Sequence, residues 1–253
     1  MEPKSEIIFG RHPVLEAIQS GKKFDRIIIG KDLKGEIISE IKKAARQNKI
    51  IVQLVPAETL DKELRKQNLR GSANHQGVIG FTSMIEYHTI VNVIDQLHKR
   101  DKTPLLLMLE GITDVMNFGA IARSAECLGV NALIIPDKNF ARLNHDAIKA
   151  SAGALTRIRV CRTFSLKNAC SYFKMHGIKI YGSALQAPVE IQKTDFAEPC
   201  CIIMGAEGEG ISEELKEKCD AQFYIPMRGK TASLNVSVAT GIVLYEARMQ
   251  RVD

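Results

Sequence analysis

Residues 104–136 read PLLLMLEGITDVMNFGAIARSAECLGVNALIIP. Two uninterrupted apolar runs, 104–110 and 131–136, flank a stretch with helical character over 118–129. A short apolar run without alternation suits a strand covered on both faces, as in a parallel sheet. Strand, helix and strand in that order form the repeating unit of an α/β fold. Downstream the alternation continues, with strands expected at 178–183, 199–205 and 221–226 and helices at 165–176, 212–218 and 236–250. It does not give strand order.

Upstream the elements are shorter. HPVLEAIQS reads as a helix ended by Gly21, and RIIIG as a strand. GEIISEIKKAARQNK has helical spacing, with Ile37, Ile41 and Ala45 on one face. IIVQLV is a strand stopped at Pro56, AETLDKELRKQ a helix and QGVIGFT a closing strand. These bounds give a small α/β domain over 1–83, an amphipathic linker helix within 84–103 and a larger α/β domain over 104–253.

The chain has 253 residues, 45% hydrophobic and 25% charged, ordinary for a globular protein. No apolar run approaches the roughly 20 residues of a membrane span, and MEPKSEIIFG lacks the pattern of a signal peptide. Six cysteines, at 127, 161, 170, 200, 201 and 219, show no CxxC pair and no His-rich spacing. That argues against structural zinc or a secreted disulfide framework; reduced thiols and a cytoplasmic location are expected. The net charge is +6, and residues 1–83 hold 15 Lys+Arg against 10 Asp+Glu, so this segment carries nearly all the excess. Such an excess suits an anionic partner, most simply nucleic acid, although a merely soluble basic domain would look the same. A second basic run, 138–162, sets Lys138, Arg142, Lys149, Arg157, Arg159 and Arg162 against Asp146.

Three stretches rich in polar residues and glycine follow expected strands, where ligand sites of open α/β sheets concentrate. The first, 111–129, offers Asn117 as a helix cap, Gly119 as a point of close approach, and Arg123. The second, MGAEGEGIS at 204–212, sets Glu207 among Gly205, Gly208 and Gly210. Its spacing and late position argue against a dinucleotide fingerprint, and the absence of GK[ST] excludes a P-loop. The third, IPMRGKTASLNVSVATG, carries Thr231, Ser233, Asn235 and Ser237 where one helix cap needs only one such residue. Singly, each stretch reads equally well as a capped helix or a glycine turn.

Together, in this order, they resemble the SpoU (TrmH) family of RNA 2′-O-methyltransferases, of the SPOUT superfamily. The matching motifs are N-x-G-x-I-x-R at Asn117–Arg123, G-x-E-G-x-G-[IL]-S at Gly205–Ser212, and I-P-M followed by S-L-N-V-S-V-A within Ile225–Ala239. One departure is Asp114-Val115, where the family usually has Asp-Pro. GRHPVLEAI and NHQGVIGF (74–81) look like the N-terminal substrate-binding domain of the branch that methylates a guanosine ribose in 23S ribosomal RNA. That domain resembles small RNA-binding ribosomal proteins.

The resemblance implies a mostly parallel sheet whose C-terminal segment forms a deep trefoil knot, a homodimer, and S-adenosylmethionine bound in the knot. Gly205, Ile225, Met227 and Leu234 would line the cofactor pocket. Asn117, Arg123, Glu207, Ser233 and Asn235 would form the active centre, with Asn117 and Glu207 orienting Arg123. It implies no metal and no membrane. The rival substrate is transfer RNA, and the rival class is a noncatalytic RNA-binding protein. His12 and His75 lie in the family-like segments, where structural roles outweigh RNA stacking.

Overall fold

The computed structural model describes residues 7–48, 50–66 and 74–251. The chain divides into two units, Met1–Ile85 and Glu86–Asp253.

The first unit contains β1 (Ile7–Phe9), α1 (Arg11–Gln19), β2 (Phe24–Gly30), α2 (Glu36–Gln47), β3 (Ile51–Val55), α3 (Ala57–Lys66) and β4 (Val78–Thr82). The sheet order is β1-β4-β2-β3. β2 and β3 are parallel, whereas β4 runs antiparallel to β1 and β2. Successive side chains of a strand face opposite ways, and β2 uses both faces. Ile27 and Ile29 pack with Val14, Ile18, Ile38 and Ile41 of α1 and α2. Ile28 packs with Leu60 and Leu64 of α3 on the other side. β1, at three residues, is too short for its period to show in the sequence. Gln67, the last residue of the expected third helix, lies outside the described residues.

The second unit begins with β5 (Tyr87–His88), α4 (Ile90–Lys99), β6 (Leu105–Leu109), α5 (Val115–Cys127), β7 (Ala132–Pro136), α6 (His145–Ala150) and β8 (Arg159–Thr163). It continues with α7 (Leu166–Met175), β9 (Lys179–Ser183), β10 (Val189–Glu190), β11 (Cys200–Met204), α8 (Glu213–Lys216), β12 (Ala221–Tyr224) and α9 (Val236–Met249). Every pairing in its sheet, β10-β12-β9-β11-β6-β7-β8-β5, is parallel. Leu106 and Met108 of β6 meet Val93, Ile94 and Leu97 of α4 and Phe173 of α7 on one face. The opposite face carries α5, packed on both α6 and α9. This is the buried, mostly parallel α/β sheet that the apolar runs imply.

Besides the short elements β1, β5, β10 and α6, which were not expected, two features differ from the expected bounds. Residues 86–103 belong to the second unit: Tyr87 pairs with Val160, and the apolar stripe of α4 is part of that unit's core. Burying the stripe, not linking, is what its amphipathic spacing reports. The other difference is β8, whose sequence RVCRT hides two buried residues, Val160 and Cys161, between arginines.

Arg251 ties the end of α9 to the amino ends of β6 and β11. Its guanidinium donates to the carbonyls of Phe196 (2.8 Å), Thr103 (3.1 Å), Pro104 (3.0 Å) and Glu198 (2.6 Å). All six cysteines are free thiols. Burial pushes Cys161 and Cys219 up to about 12 and Cys170 and Cys200 up to about 11, so these stay protonated and unreactive. No group of three or more metal-ligating side chains occurs among the described residues, and no helix among them is long and apolar enough to cross a membrane.

Gly119 permits a close approach, and what approaches is α6. A Cβ there would sit 2.4 Å from Ala150 Cβ and 3.0 Å from the Ala147 carbonyl oxygen. Gly119→Ala is expected to cost about 1–3 kcal/mol by overpacking. Thermal unfolding should then begin several degrees lower; an unchanged Tm would contradict this packing.

Candidate active site

β6 and β11 lie side by side, yet the chain leaves β6 for β7 on one side and reaches β11 from β9 and β10 on the other. The crevice beyond the carboxyl ends of such a strand pair is where open α/β sheets bind ligands. Here those ends are Glu110-Gly111 and Gly205-Ala206. The polypeptide after β11 folds back on itself. Gly210 N–H donates to the Ala206 carbonyl at 2.9 Å, and Gly208 and Gly210 take φ of 85° and 71°. The returning backbone passes so near that a Cβ on Gly205 would stand 2.0 Å from the carbonyl carbon and oxygen of Gly210. Only glycine fits there.

Glu110 locks this turn to the neighbouring strand. Its carboxylate accepts the Ser212 N–H at 2.7 Å and the Ser212 hydroxyl at 2.8 Å. Ser212 thus stands at the start of α8 without capping it by its side chain. The sequence reading missed Glu110. Its signal was a carboxylate closing an apolar run just before a glycine.

Asp114, not Asn117, caps α5: its carboxylate accepts the Asn117 N–H at 2.7 Å. Val115 therefore occupies the first helical position, where proline is favoured but not required. The Asn117 side chain is left free to reach across the sequence, and its Oδ1 accepts Asn235 Nδ2–H at 3.1 Å. Asn235 caps α9 as well, accepting the Ser237 N–H at 2.9 Å and hydroxyl at 2.6 Å.

An open cavity lies at these strand ends. Its wall takes in Gly205, Glu207 and Gly210 from the turn, Ile225 and Met227 after β12, and Ser233 and Leu234 before α9. Ser183–Leu185 and Tyr224, which the sequence reading did not single out, complete it. Among the described residues, the backbone of Ile225–Leu234 makes no loop hydrogen bond of its own. Its amides and carbonyls are open to a ligand.

All four expected cofactor residues line this cavity, with Glu207 and Ser233 beside them. Asn117 and Asn235 adjoin it through their mutual hydrogen bond, since Leu234 and Val236 are wall residues. Arg123 does not line it. Arg123 is exposed on α5 and its side chain has no hydrogen bond or ion pair among the described residues, so neither Asn117 nor Glu207 orients it here. Asn117 is committed to Asn235 instead.

The second basic run is divided by the direction of β8. Arg157 and Arg159 stand at its amino end, and Arg157 is paired with Glu126 at 2.9 Å. Lys138 and Arg142 follow β7, at the carboxyl ends where the cavity lies. Arg162 stacks over the Tyr87 ring at 3.9 Å. In the first unit His75 has both ring nitrogens engaged: Nδ1 accepts the Gly77 N–H at 2.9 Å and Nε2 meets Asp61 at 3.2 Å. His12 is exposed on the first turn of α1.

A family model described as the SpoU rRNA Methylase family matches residues 104–245. The chain belongs to the SpoU family. A second model, RNA 2′-O ribose methyltransferase substrate binding, matches residues 7–88 of this SpoU protein. It is 38% identical over 245 residues to a Staphylococcus saprophyticus protein assigned to the TrmH family of tRNA/rRNA methyltransferases, covering 97% of this chain and 96% of that one. Among solved structures it resembles the SpoU methyltransferase AviRb of Streptomyces viridochromogenes, crystallised with AdoMet. That match has a TM-score of 0.60 at 21% identity over 97% of this chain and 90% of that one, and at this identity the likeness concerns the fold alone. The TrmH/SpoU tRNA modifying enzyme of A. aeolicus matches at 28% identity and TM-score 0.54, over 62% of this chain and 84% of that one.

The Asn117–Asn235 bond should appear as energetic coupling between helix starts 118 residues apart. Asn117→Ala and Asn235→Ala are expected to be non-additive by about 0.5–1.5 kcal/mol in a double-mutant cycle read by urea unfolding. Strict additivity would contradict the contact.

Proposed function

We propose that this SpoU family protein methylates the ribose 2′-oxygen of a guanosine in 23S ribosomal RNA, using S-adenosylmethionine and acting as a homodimer. The observation that carries this reading is the convergence of the glycine turn and the 225–239 segment on one cavity, with motif-one Asn117 tied to it through Asn235.

The cavity fits the cofactor. Apolar Leu185, Ile225, Met227 and Leu234 suit the adenine and the thioether side, and the open backbone of 225–234 suits the polar edges. When bound, S-adenosylmethionine supplies an electrophilic methyl group on a sulfonium. The protein's part is to hold the acceptor hydroxyl in line and favour loss of its proton. Positioning of this kind is worth roughly 7–11 kcal/mol at most.

Arg123 is assigned to the RNA. A guanidinium stays protonated in proteins, so it serves poorly as a base and well as a clamp on phosphate. Held beside the target ribose, it would lower the hydroxyl's pKa electrostatically. Ser233 and Asn235 are assigned to holding the ribose and the loop, and Glu207, exposed at the cavity rim, to the polar groups of the incoming nucleotide.

The homodimer is supported by α9. Val238, Ile242, Tyr245 and Met249 recur at helical spacing along one side and are 52%, 40%, 58% and 64% exposed. On neighbouring α5, Met116 and Arg123 are exposed along one stripe, so a dimer formed there would bring Arg123 into the interface. The threading of 225–239 into a knot is part of the same proposal. It is supported by the placement of that segment against the 205–210 turn.

Arg123→Ala is expected to lower methyl transfer by about 100-fold or more, the scale of losing one charge-stabilising group. S-adenosylmethionine affinity by calorimetry should stay within about twofold, because Arg123 is not a wall residue. Full activity in the variant would remove Arg123 from the mechanism. Mapping ribose methylation in cells with and without the gene identifies the substrate: loss of one 23S guanosine mark supports the proposal, and loss of a tRNA mark instead reassigns it.

A further inference from the structure

Phe164 has no place in the site described above, and it is 83% exposed. The chain has nine phenylalanines and no tryptophan. The other eight are buried or half-buried, so exposure of this one is not the general condition of its type. Nor is Phe164 a frayed end. It sits in the turn between β8 and α7, held on both sides. The Thr163 hydroxyl donates to the Ser165 carbonyl and accepts the Ser165 N–H, both at 3.3 Å. Ser165 Oγ caps α7 through the Asn168 N–H at 3.1 Å, and the Asp137 N–H donates to the Thr163 carbonyl at 3.0 Å. A fixed backbone therefore presents a bare aromatic ring.

Its surroundings are polar and charged. β7 and β8 pair in parallel with Pro136 opposite Thr163. Continuing that register sets Asp137 beside Phe164, with Lys138 next. Lys138 is exposed and has no ion pair among the described residues. Lys167 and Asn168 are exposed on the first turn of α7, with Lys167 paired to Glu214 at 2.9 Å. A protein-docking patch would gather several apolar side chains. A lone ring with an exposed lysine near it is instead the arrangement that holds an unpaired nucleobase by stacking, with a cation for its phosphate. The position is apt: Phe164 is at the carboxyl end of the sheet, as the cavity is, and β8 lies three strands from β11, whose following turn walls the cavity. That is roughly 14 Å.

We infer that Phe164 is a stacking platform for an unpaired base flanking the methylated nucleotide, with Lys138 against the adjoining phosphate. This rests on the RNA methyltransferase reading and adds to it a residue outside the three motifs. The test is steady-state kinetics with saturating S-adenosylmethionine and an RNA transcript bearing the target. Phe164→Ala should raise KM for RNA by roughly tenfold, the scale of one lost base–aromatic stack. kcat and S-adenosylmethionine affinity should stay within about twofold, and Tm should not move. Phe164→Trp should restore KM, and Phe164→Leu, apolar but unable to stack, should behave as alanine does. With 2-aminopurine at the flanking position, quenching on binding should be present for the wild type and lost in Phe164→Ala. Active wild type with an unchanged KM in Phe164→Ala, or with leucine as good as phenylalanine, would overturn the platform alone. Wild type that methylates no RNA would overturn the activity reading as well.

Discussion

The return of the chain past Gly205 is the constraint on which the site depends. With the Gly210 carbonyl 2.0 Å from where a side chain would begin, the turn after β11 closes only around a residue that has none. Glu110 then fastens the far side of the turn through two hydrogen bonds to Ser212. One wall of the cavity is thereby built from backbone, fixed to the central strand of the sheet.

The opposite wall comes from 225–239, a segment with few internal supports of its own. It is held at its ends. Asn235 starts α9 and reaches Asn117 across the crevice, while Arg251, beyond the last turn, is spent on four backbone carbonyls at the foot of the sheet. Between these anchors the loop keeps its amides unpaired by protein. A pocket so made recognises a ligand by main-chain groups and shape, leaving the side chains around it for the acceptor.

Much of this could be read before any coordinates. The apolar runs at 104–110, 131–136 and 199–205 gave buried parallel strands because covering both faces removes alternation. Gly205, Ile225, Met227 and Leu234, which the motifs put at the cofactor, line one cavity. What escaped had physical reasons. β8 escaped because arginines flank its two core residues, and β1, β5 and β10 are too short to show a period. Asn117 looked like a cap because its residue type is a cap, but Asp114 three residues earlier does that work. Asn117 and Glu207 were expected to orient Arg123 because the family resemblance implies it, and in this structure neither does. A helix turns 100° per residue, and six residues after Asn117 the side chain points elsewhere. The basic run 138–162 likewise ignored that a strand carries its two ends to opposite sides of a sheet.

The account's central claim is that segments near residues 205, 225 and 234 jointly hold S-adenosylmethionine beside Asn117 and Asn235. The most direct test is a crystal structure of the protein with that cofactor. The account predicts density within the cavity walled by Ser183–Leu185, Gly205–Gly210 and Ile225–Leu234, with backbone amides of the last segment bonded to the ligand. Density at another place on the chain, or a cavity closed by side chains with no cofactor bound at saturating concentration, would contradict it.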